Sequence, residues 1–178
     1  MFILEVNETI KLELVHPAIA QQLYELVESN RAYLSEWLPW VSRTESVEDY
    51  ESFIKQVLYD YAAGKKMACS ILFEDKLVGV CGFNAIEPIL KRAEIGYWIA
   101  AEYQGKGVVT QVCQKLIEIA FDYYNVDKVQ ISAAKENIKS RAVCERLGMN
   151  LEGIITNQEN VNGKIVDHAI YGLHREQK

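Results

Sequence analysis

The sequence predicts a mixed α/β fold, one sheet with helices on both faces. Two observations carry this. Strand-like alternation and helix-like periodicity follow one another along the chain with no linker, repeat or low-complexity segment between them. A strand-like run ending near Trp98 also empties into Gln104-Gly105-Lys106-Gly107, which opens a long amphipathic helix. With 178 residues and 49% hydrophobic content, the chain can bury a core of its own and is expected to form one domain over 1–178.

The elements follow in order. Ile10, Leu12 and Leu14 alternate with Lys11 and Glu13, the pattern of a half-buried strand. Pro17 suits a helix start, and Ile19, Leu23, Leu26 and Val27 then share a helical face. An aromatic segment follows, with Tyr33, Trp37 and Trp40. Ser46 and Asp49 have capping-box spacing, and Tyr50, Phe53, Ile54, Val57, Leu58 and Tyr61 recur at helical intervals until Gly64, predicting a second core helix. Strands at 67–73 and 77–83 flank the polar Glu74-Asp75-Lys76, a hairpin. Tyr97 and its neighbours form a fourth strand, and the helix from Gly107 to about Tyr124 buries Val112, Cys113, Leu116, Ile117 and Ala120. A fifth strand at 128–133 leads to Asn137, a good N-cap, and to a helix ending at Gly148. Segments 151–155 and 165–173, around Asn162-Gly163, make a closing hairpin whose connection has room for more than two residues. The sheet therefore has about seven strands.

Composition excludes several functions. A net charge of −6 argues against a nucleic-acid backbone as partner. The N-terminus has no basic flank or cleavage-like site and no apolar run is long enough to span a membrane, so a cytoplasmic protein is expected. Cys69, Cys81, Cys113 and Cys144 are widely spaced, which suits small buried hydrophobes rather than a metal or redox site. His16, His168 and His174 have no metal-ligand spacing either, and no metal is expected.

The glycine turn is an anion cradle by construction. Gly105 and Gly107 permit positive φ and a close backbone approach, and the helix that follows offers unpaired N–H groups and a partial positive charge. A pyrophosphate is the natural guest. A nucleoside triphosphate loop would need Ser or Thr after Gly-Lys, and Gly107 is followed by Val108. A dinucleotide fingerprint would need a glycine where Thr110 stands. A ligand-free strand-to-helix turn is the plain alternative.

What does fit is Gln/Arg-x-x-Gly-x-small after a strand, which resembles the acyl-CoA loop of the GNAT superfamily of N-acetyltransferases. Val109 stands where that loop usually has its last glycine or alanine. The element order is also the GNAT order, and the similarity runs from about Thr9 to the C-terminus. It is strongest over AEIGYWIAAEYQGKGVVT and over NIKSRAVCERLGM, where Asn137, Ser140, Ala142, Leu147 and Gly148 fall at family-like spacing. Together these resemble the RimL-like branch, the ribosomal-protein-serine N-acetyltransferases. The resemblance implies a mostly antiparallel sheet splayed between its fourth and fifth strands, with acetyl-CoA as co-substrate. Backbone around Trp98, Ile99 and Ala100 would hold the pantetheine arm, and Gln104, Gly105, Lys106, Gly107, Val108, Val109 and Thr110 the pyrophosphate. Asn137 would cap its helix and also touch the donor. Lys106 is equally readable as a solvated lysine, and Gln104 as a side chain that satisfies loop amides.

Acetyl transfer needs a neutral amine. For an α-amine of pKa about 8, deprotonation at neutral pH costs only ~1.4 kcal/mol, against ~4.6 kcal/mol for a lysine amine near 10.4. Many family members place a tyrosine acid four residues before the glycine that ends the last helix; here that residue is Cys144. The RimL-like pattern instead implies Ser140 as general acid and Glu159 as general base, with Glu94 and Glu102 as alternative bases. Their plain alternatives are a polar first-turn serine and a solvated loop acid. Trp37 and Trp40 lie in a segment that in this family commonly covers the acceptor; core or interface packing is the plainer reading, and a place in the cleft would favour a peptide or apolar amine. The resemblance implies direct acetyl transfer to a protein N-terminal α-amine. Alternatives are a small amine of polyamine or aminoglycoside type, or an acyl-CoA sensor without turnover. The tail hairpin and aromatic segment would also suit a homo-oligomer.

Overall fold

The computed structural model describes residues 3–175. Its strands are β1 (Ile3–Glu5), β2 (Ile10–Leu14), β3 (Met67–Phe73), β4 (Lys76–Glu87), β5 (Arg92–Ile99), β6 (Lys128–Ala134), β7 (Asn150–Val161) and β8 (Lys164–His174). Its helices are α1 (Ala20–Leu34), α2 (Val47–Ala62), α3 (Val108–Asp122) and α4 (Ile138–Arg146). The strands form one eight-stranded sheet in the order β1-β2-β3-β4-β5-β6-β8-β7. Every neighbouring pair is antiparallel except β5 and β6, which are parallel and joined through α3. The extra strand relative to expectation is the short β1.

Both hairpin connections are tighter than expected. Lys76 pairs with Phe73, so the first turn is Glu74-Asp75, both at positive φ. Val161 pairs with Lys164, so Asn162-Gly163 alone makes the second, again with positive φ at both residues. Two such residues give a turn whose twist matches that of the flanking strands.

The two faces of the sheet bury separate cores. On one, Ile71, Phe83, Ile95 and Ile131 pack against Val112, Leu116 and Ala120 of α3 and Val143 and Cys144 of α4. On the other, Ala68 and Val80 pack against Leu23 and Val27 of α1 and Tyr50, Ile54 and Val57 of α2. Each fully buried side chain of this size contributes roughly 1.5–3 kcal/mol. Phe53 and Tyr61, expected in the core, are 44% and 39% exposed because they sit at the margin of the α2 stripe. All four cysteines are buried and free. Burial pushes the Cys69 and Cys144 thiols up to about 12, consistent with packing rather than chemistry.

The capping box forms as the spacing predicts. Asp49 Oδ2 accepts from the Ser46 N–H at 3.0 Å, the Glu45 N–H at 2.9 Å and the Ser46 hydroxyl at 3.1 Å. The Glu45 and Ser46 amides hold its carboxyl below the ordinary value of 3.8. The folded carboxyl keeps its charge to lower pH than the unfolded one, so its contribution is present above the ordinary value and fades as pH falls through the lowered one. Asp49→Asn should therefore flatten the loss of thermal stability on acidification from about pH 5 to 3. Melting curves of both proteins across that range test this.

Candidate active site

β5 and β6 are paired only over Arg92–Ile95 and Lys128–Ile131. Beyond Ile95 and Ile131 both strands continue, to Ile99 and Ala134, without pairing to each other. The sheet is split there, and a cavity of about 770 Å³ runs through the split. Side chains alternate along a strand, so the walls of the gap belong to different faces. Tyr97 belongs to the α3/α4 side and Trp98 to the α1/α2 side. Glu94, Tyr97, Trp98, Ser132, Ala133, Ala134, Asn137, Ser140, Glu159 and His168 all line the cavity.

The backbone of the gap is partly committed. The Ala100 N–H donates to Val78 O at 2.8 Å, and Trp98 lies opposite Val80 in the β4–β5 register. Backbone groups of alternate residues point to opposite sides of a strand. Trp98 and Ala100 therefore spend theirs on β4, whereas Ile99 and Tyr97 turn theirs to the gap. Of the three residues expected to offer backbone there, Ile99 alone does so, and Tyr97 joins it.

Beyond the end of β5, a short 3-10 turn over Ala101–Tyr103 leads to the glycine turn. Gly105 and Gly107 have φ of 72° and 75°, and Gly107 is the N-cap of α3. Val108 is buried under the turn and Val109 packs against the same core, so the side chains anchor the loop and its backbone faces out. Gln104 does not satisfy loop amides. Its side-chain amide donates to the Tyr33 hydroxyl and its carbonyl accepts from Lys139 Nζ at 2.9 Å, tying the loop to α1 and α4. Lys106 Nζ lies 4.9 Å from the Tyr103 ring centroid and 5.7 Å from that of Phe73. Arg146 Nε donates to Thr110 Oγ1 at 3.2 Å. Among the described residues, none of Lys106, Lys139 and Arg146 is within ion-pair distance of a carboxylate. An acidic protein thus gathers three cations around this one turn. Lys139 and Arg146 escape a sequence reading because only the packing of α4 against α3 brings them there.

On the α3/α4 side of the gap, Asn137 Oδ1 accepts from the Ser140 N–H at 3.1 Å, capping α4. Ser140 Oγ lies 2.9 Å from the Tyr97 hydroxyl. Burial pushes that phenol well above the usual tyrosine range, so it stays protonated.

The α1/α2 side carries the carboxylates. A bulge in β7 between Ile155 and Glu159, held by the Asn157 N–H donating to Asp167 Oδ1 at 3.1 Å, brings Glu159 opposite Val166. Glu159 Oε2 is then 3.2 Å from His168 Nε2. Because His168 pairs with Ala134, this dyad stands level with the split half of β6. Glu94 pairs with Gln130 in the closed half and accepts from the Gln130 amide at 3.4 Å, and Gln130 in turn accepts from Arg92 at 3.2 Å. Glu102 lies exposed on the 3-10 turn outside the cavity, so the structure removes it from the candidate bases. Trp37 and Trp40 line the cavity rather than forming closed core, with Trp40 6.1 Å from Trp98 between ring centroids. Asn162, at the β7–β8 turn, ties that hairpin to their segment through Ser35 O at 2.8 Å and Ser42 Oγ at 2.6 Å. Asn84, in a bulge of β4, also lines the cavity, and its side chain lies where a Cβ on Gly96 would be, 2.5 Å away. No sequence signal marks it. Among the described residues, no cluster of His, Cys, Asp and Glu is placed to hold a metal ion, and no helix is long and apolar enough to cross a membrane.

A family model described as an acetyltransferase (GNAT) domain matches residues 10–150. The ribosomal-protein-serine acetyltransferase of Escherichia coli (strain K12) is 32% identical over 94% of this chain and 94% of its own length. Two solved structures superpose closely. One, the RimL ribosomal L7/L12 α-N-protein acetyltransferase in complex with coenzyme A, has a TM-score of 0.94 at 29% identity, covering 97% of this chain and 98% of that one. The other, the microcin C7 self-immunity acetyltransferase MccE in complex with acetyl-CoA and AMP, has a TM-score of 0.92 at 34% identity, covering 96% and 94%. With a glycine turn at the head of α3, a sheet split beside it and a family model spanning most of the sequence, the chain belongs to the GNAT acetyltransferase family and is an acyltransferase.

Proposed function

We propose that the protein is a cytoplasmic N-acetyltransferase that moves the acetyl group of acetyl-CoA directly to an N-terminal α-amine of a protein. The observation that carries this reading is the split between β5 and β6: one cavity there is lined by Ser140 on one face of the sheet and by the Glu159–His168 pair on the other, and beyond the end of β5 the chain runs on into the cationic glycine turn. A thioester lying in the gap meets a hydroxyl from one side and an amine from the other.

The turn and its three cations take the donor's phosphates. The Ile99 and Tyr97 backbone groups pair with the pantetheine amides in place of a neighbouring strand. Glu159 takes the proton of the incoming ammonium and passes it to solvent, the neutral nitrogen attacks the thioester carbonyl carbon, and Glu159 takes the second nitrogen proton as the amide forms. The carbon–sulfur bond then breaks with its electron pair on sulfur, where the Ser140 hydroxyl donates. A base answering to an α-amine has ~3 kcal/mol less to supply than one answering to a lysine amine. The indoles of Trp37, Trp40 and Trp98 give the acceptor side apolar walls suited to peptide side chains. The same indoles, with the AMP held by MccE, favour a second acceptor class, an amine joined to a nucleotide. The long edge strand β7, with Leu151, Ile154 and Ile155 exposed, supports a homo-oligomer.

Thiol release from acetyl-CoA, measured with N-terminal peptides, polyamines, aminoglycosides and aminoacyl nucleotides, tests the acceptor. N-terminal peptides should give the highest kcat/KM; coenzyme A binding without turnover on any of them would make the protein a sensor instead. For the donor site, Lys139→Ala and Arg146→Ala should each weaken coenzyme A binding by roughly three- to tenfold at low salt, and by less as salt rises. Calorimetric titrations at two ionic strengths check this.

A further inference from the structure

The reaction as proposed gives Tyr97 no side-chain task, yet its hydroxyl is the nearest polar group to Ser140 from outside α4. It lies 2.9 Å from Ser140 Oγ and 3.2 Å from the Ser140 carbonyl oxygen. A phenol has one hydrogen, and two arrangements follow. If Tyr97 donates to the carbonyl, the serine donates back to the phenol oxygen and its only hydrogen is consumed. If Tyr97 donates to Oγ, the serine hydrogen is free to point into the cavity.

The carbonyl has other partners. It belongs to the first turn of α4, where a carbonyl accepts from the amide four residues on, and it also accepts from the Cys144 thiol at 3.6 Å. Oγ has no other donor among the described residues, and the Ser140 N–H is taken by Asn137. We infer that Tyr97 is a positioning residue for the departing sulfur: it donates to Ser140 Oγ and so turns the serine hydrogen towards the leaving group. This rests on the reading of Ser140 as donor to that sulfur. Tyr97 sits on β5 and Ser140 on α4, so the contact also fixes the helix end against the wall of the gap. As sulfur takes up the electron pair of the breaking bond, the serine hydrogen bond shortens towards it and the phenol follows towards Oγ. If the serine proton transfers, Oγ recovers one from the phenol, and the phenol recovers its own through water from the proton that the acylated amine releases.

A double-mutant cycle tests this. Tyr97→Phe should lower kcat about tenfold and leave the KM for acetyl-CoA within about twofold. In a Ser140→Ala background the same change should do nothing further, because the group it acts through is gone. A selenoester analogue of acetyl-CoA, whose more stable leaving anion needs less help, should recover most of the loss in Tyr97→Phe. Equal losses in both backgrounds, a KM that rises with the fall in kcat, or no selenoester recovery would each overturn the inference. If Ser140→Ala leaves kcat unchanged while Tyr97→Phe lowers it, the serine reading fails and the phenol acts directly. Should Tyr97→Phe melt below the assay temperature, 3,5-difluorotyrosine at position 97 keeps the ring and alters only its acidity. It should shift kcat in the native background and not in Ser140→Ala; a shift in both, or in neither, overturns the proposal.

Discussion

Glu159→Gln is expected to lower kcat for peptide acetylation by roughly 10²–10⁴-fold at neutral pH, the usual worth of a positioned base, with the KM for acetyl-CoA little changed. Glu94→Gln should cost much less. Both carboxylates line the same cavity, and their heights along the sheet separate them. Glu94 pairs with Gln130, where β5 and β6 are still joined, and the Gln130 amide occupies it. Glu159 stands beside His168, which pairs with Ala134 in the open half, and its side chain is 35% exposed against 15% for His168. An amine arriving from the α1/α2 side meets Glu159 at the level of the gap. The defect should also shrink as pH rises, since between pH 7 and 9 an α-amine of pKa about 8 supplies its own neutral form about tenfold more often. Initial rates of thiol release across that range decide it. A Glu94→Gln enzyme that is inactive beside a fully active Glu159→Gln would move the base to β5.

The elements that sequence marked well are those whose signal is local. The Ser46–Asp49 box, the Asn137 cap, the Asn162-Gly163 turn and the glycine turn each depend on residues within a few positions of one another. The site itself is not local. Tyr97 and Ser140 are 43 positions apart, and Gln104 and Lys139 are 35 apart, and both pairs meet only because α4 packs beside α3 over the gap. Glu159 is legible as an acid in a tail hairpin. What turns it to the cleft is a bulge latched by Asp167, and register shifts of that kind leave no mark in an alternation pattern. Trp37 and Trp40 illustrate the converse: an aromatic cluster reads as core, and only the split in the sheet makes it the wall of a cavity. The removal of Glu102 has the same origin, since the turn that carries it leaves the sheet before reaching the loop.

Gly107→Val is expected to raise the KM for acetyl-CoA by roughly 5- to 150-fold, the factor that ~1–3 kcal/mol of backbone strain represents. Gly107 is the N-cap of α3 at φ 75°, and a Cβ there would meet only the Gln111 amide nitrogen at 3.7 Å. Space is therefore not the obstacle; the left-handed dihedral is, and it is worst for a β-branched residue. The mutant has two ways out. It can keep the conformation and lose the strain energy from its stability, or it can relax φ and swing the first N–H groups of α3 away from the anion. Binding and stability should consequently trade off across a series, with Gly107→Asn mildest, Gly107→Ala intermediate and Gly107→Val most severe, because Asn tolerates this region. Calorimetric affinities for coenzyme A alongside melting temperatures separate the two routes, and a Val variant that binds as well as the Asn variant would show that the loop's backbone does not make the site. The same reasoning accounts for Val109. Its side chain packs against the core, so an anion held by N–H groups is indifferent to the methyls that stand where the family usually has glycine or alanine.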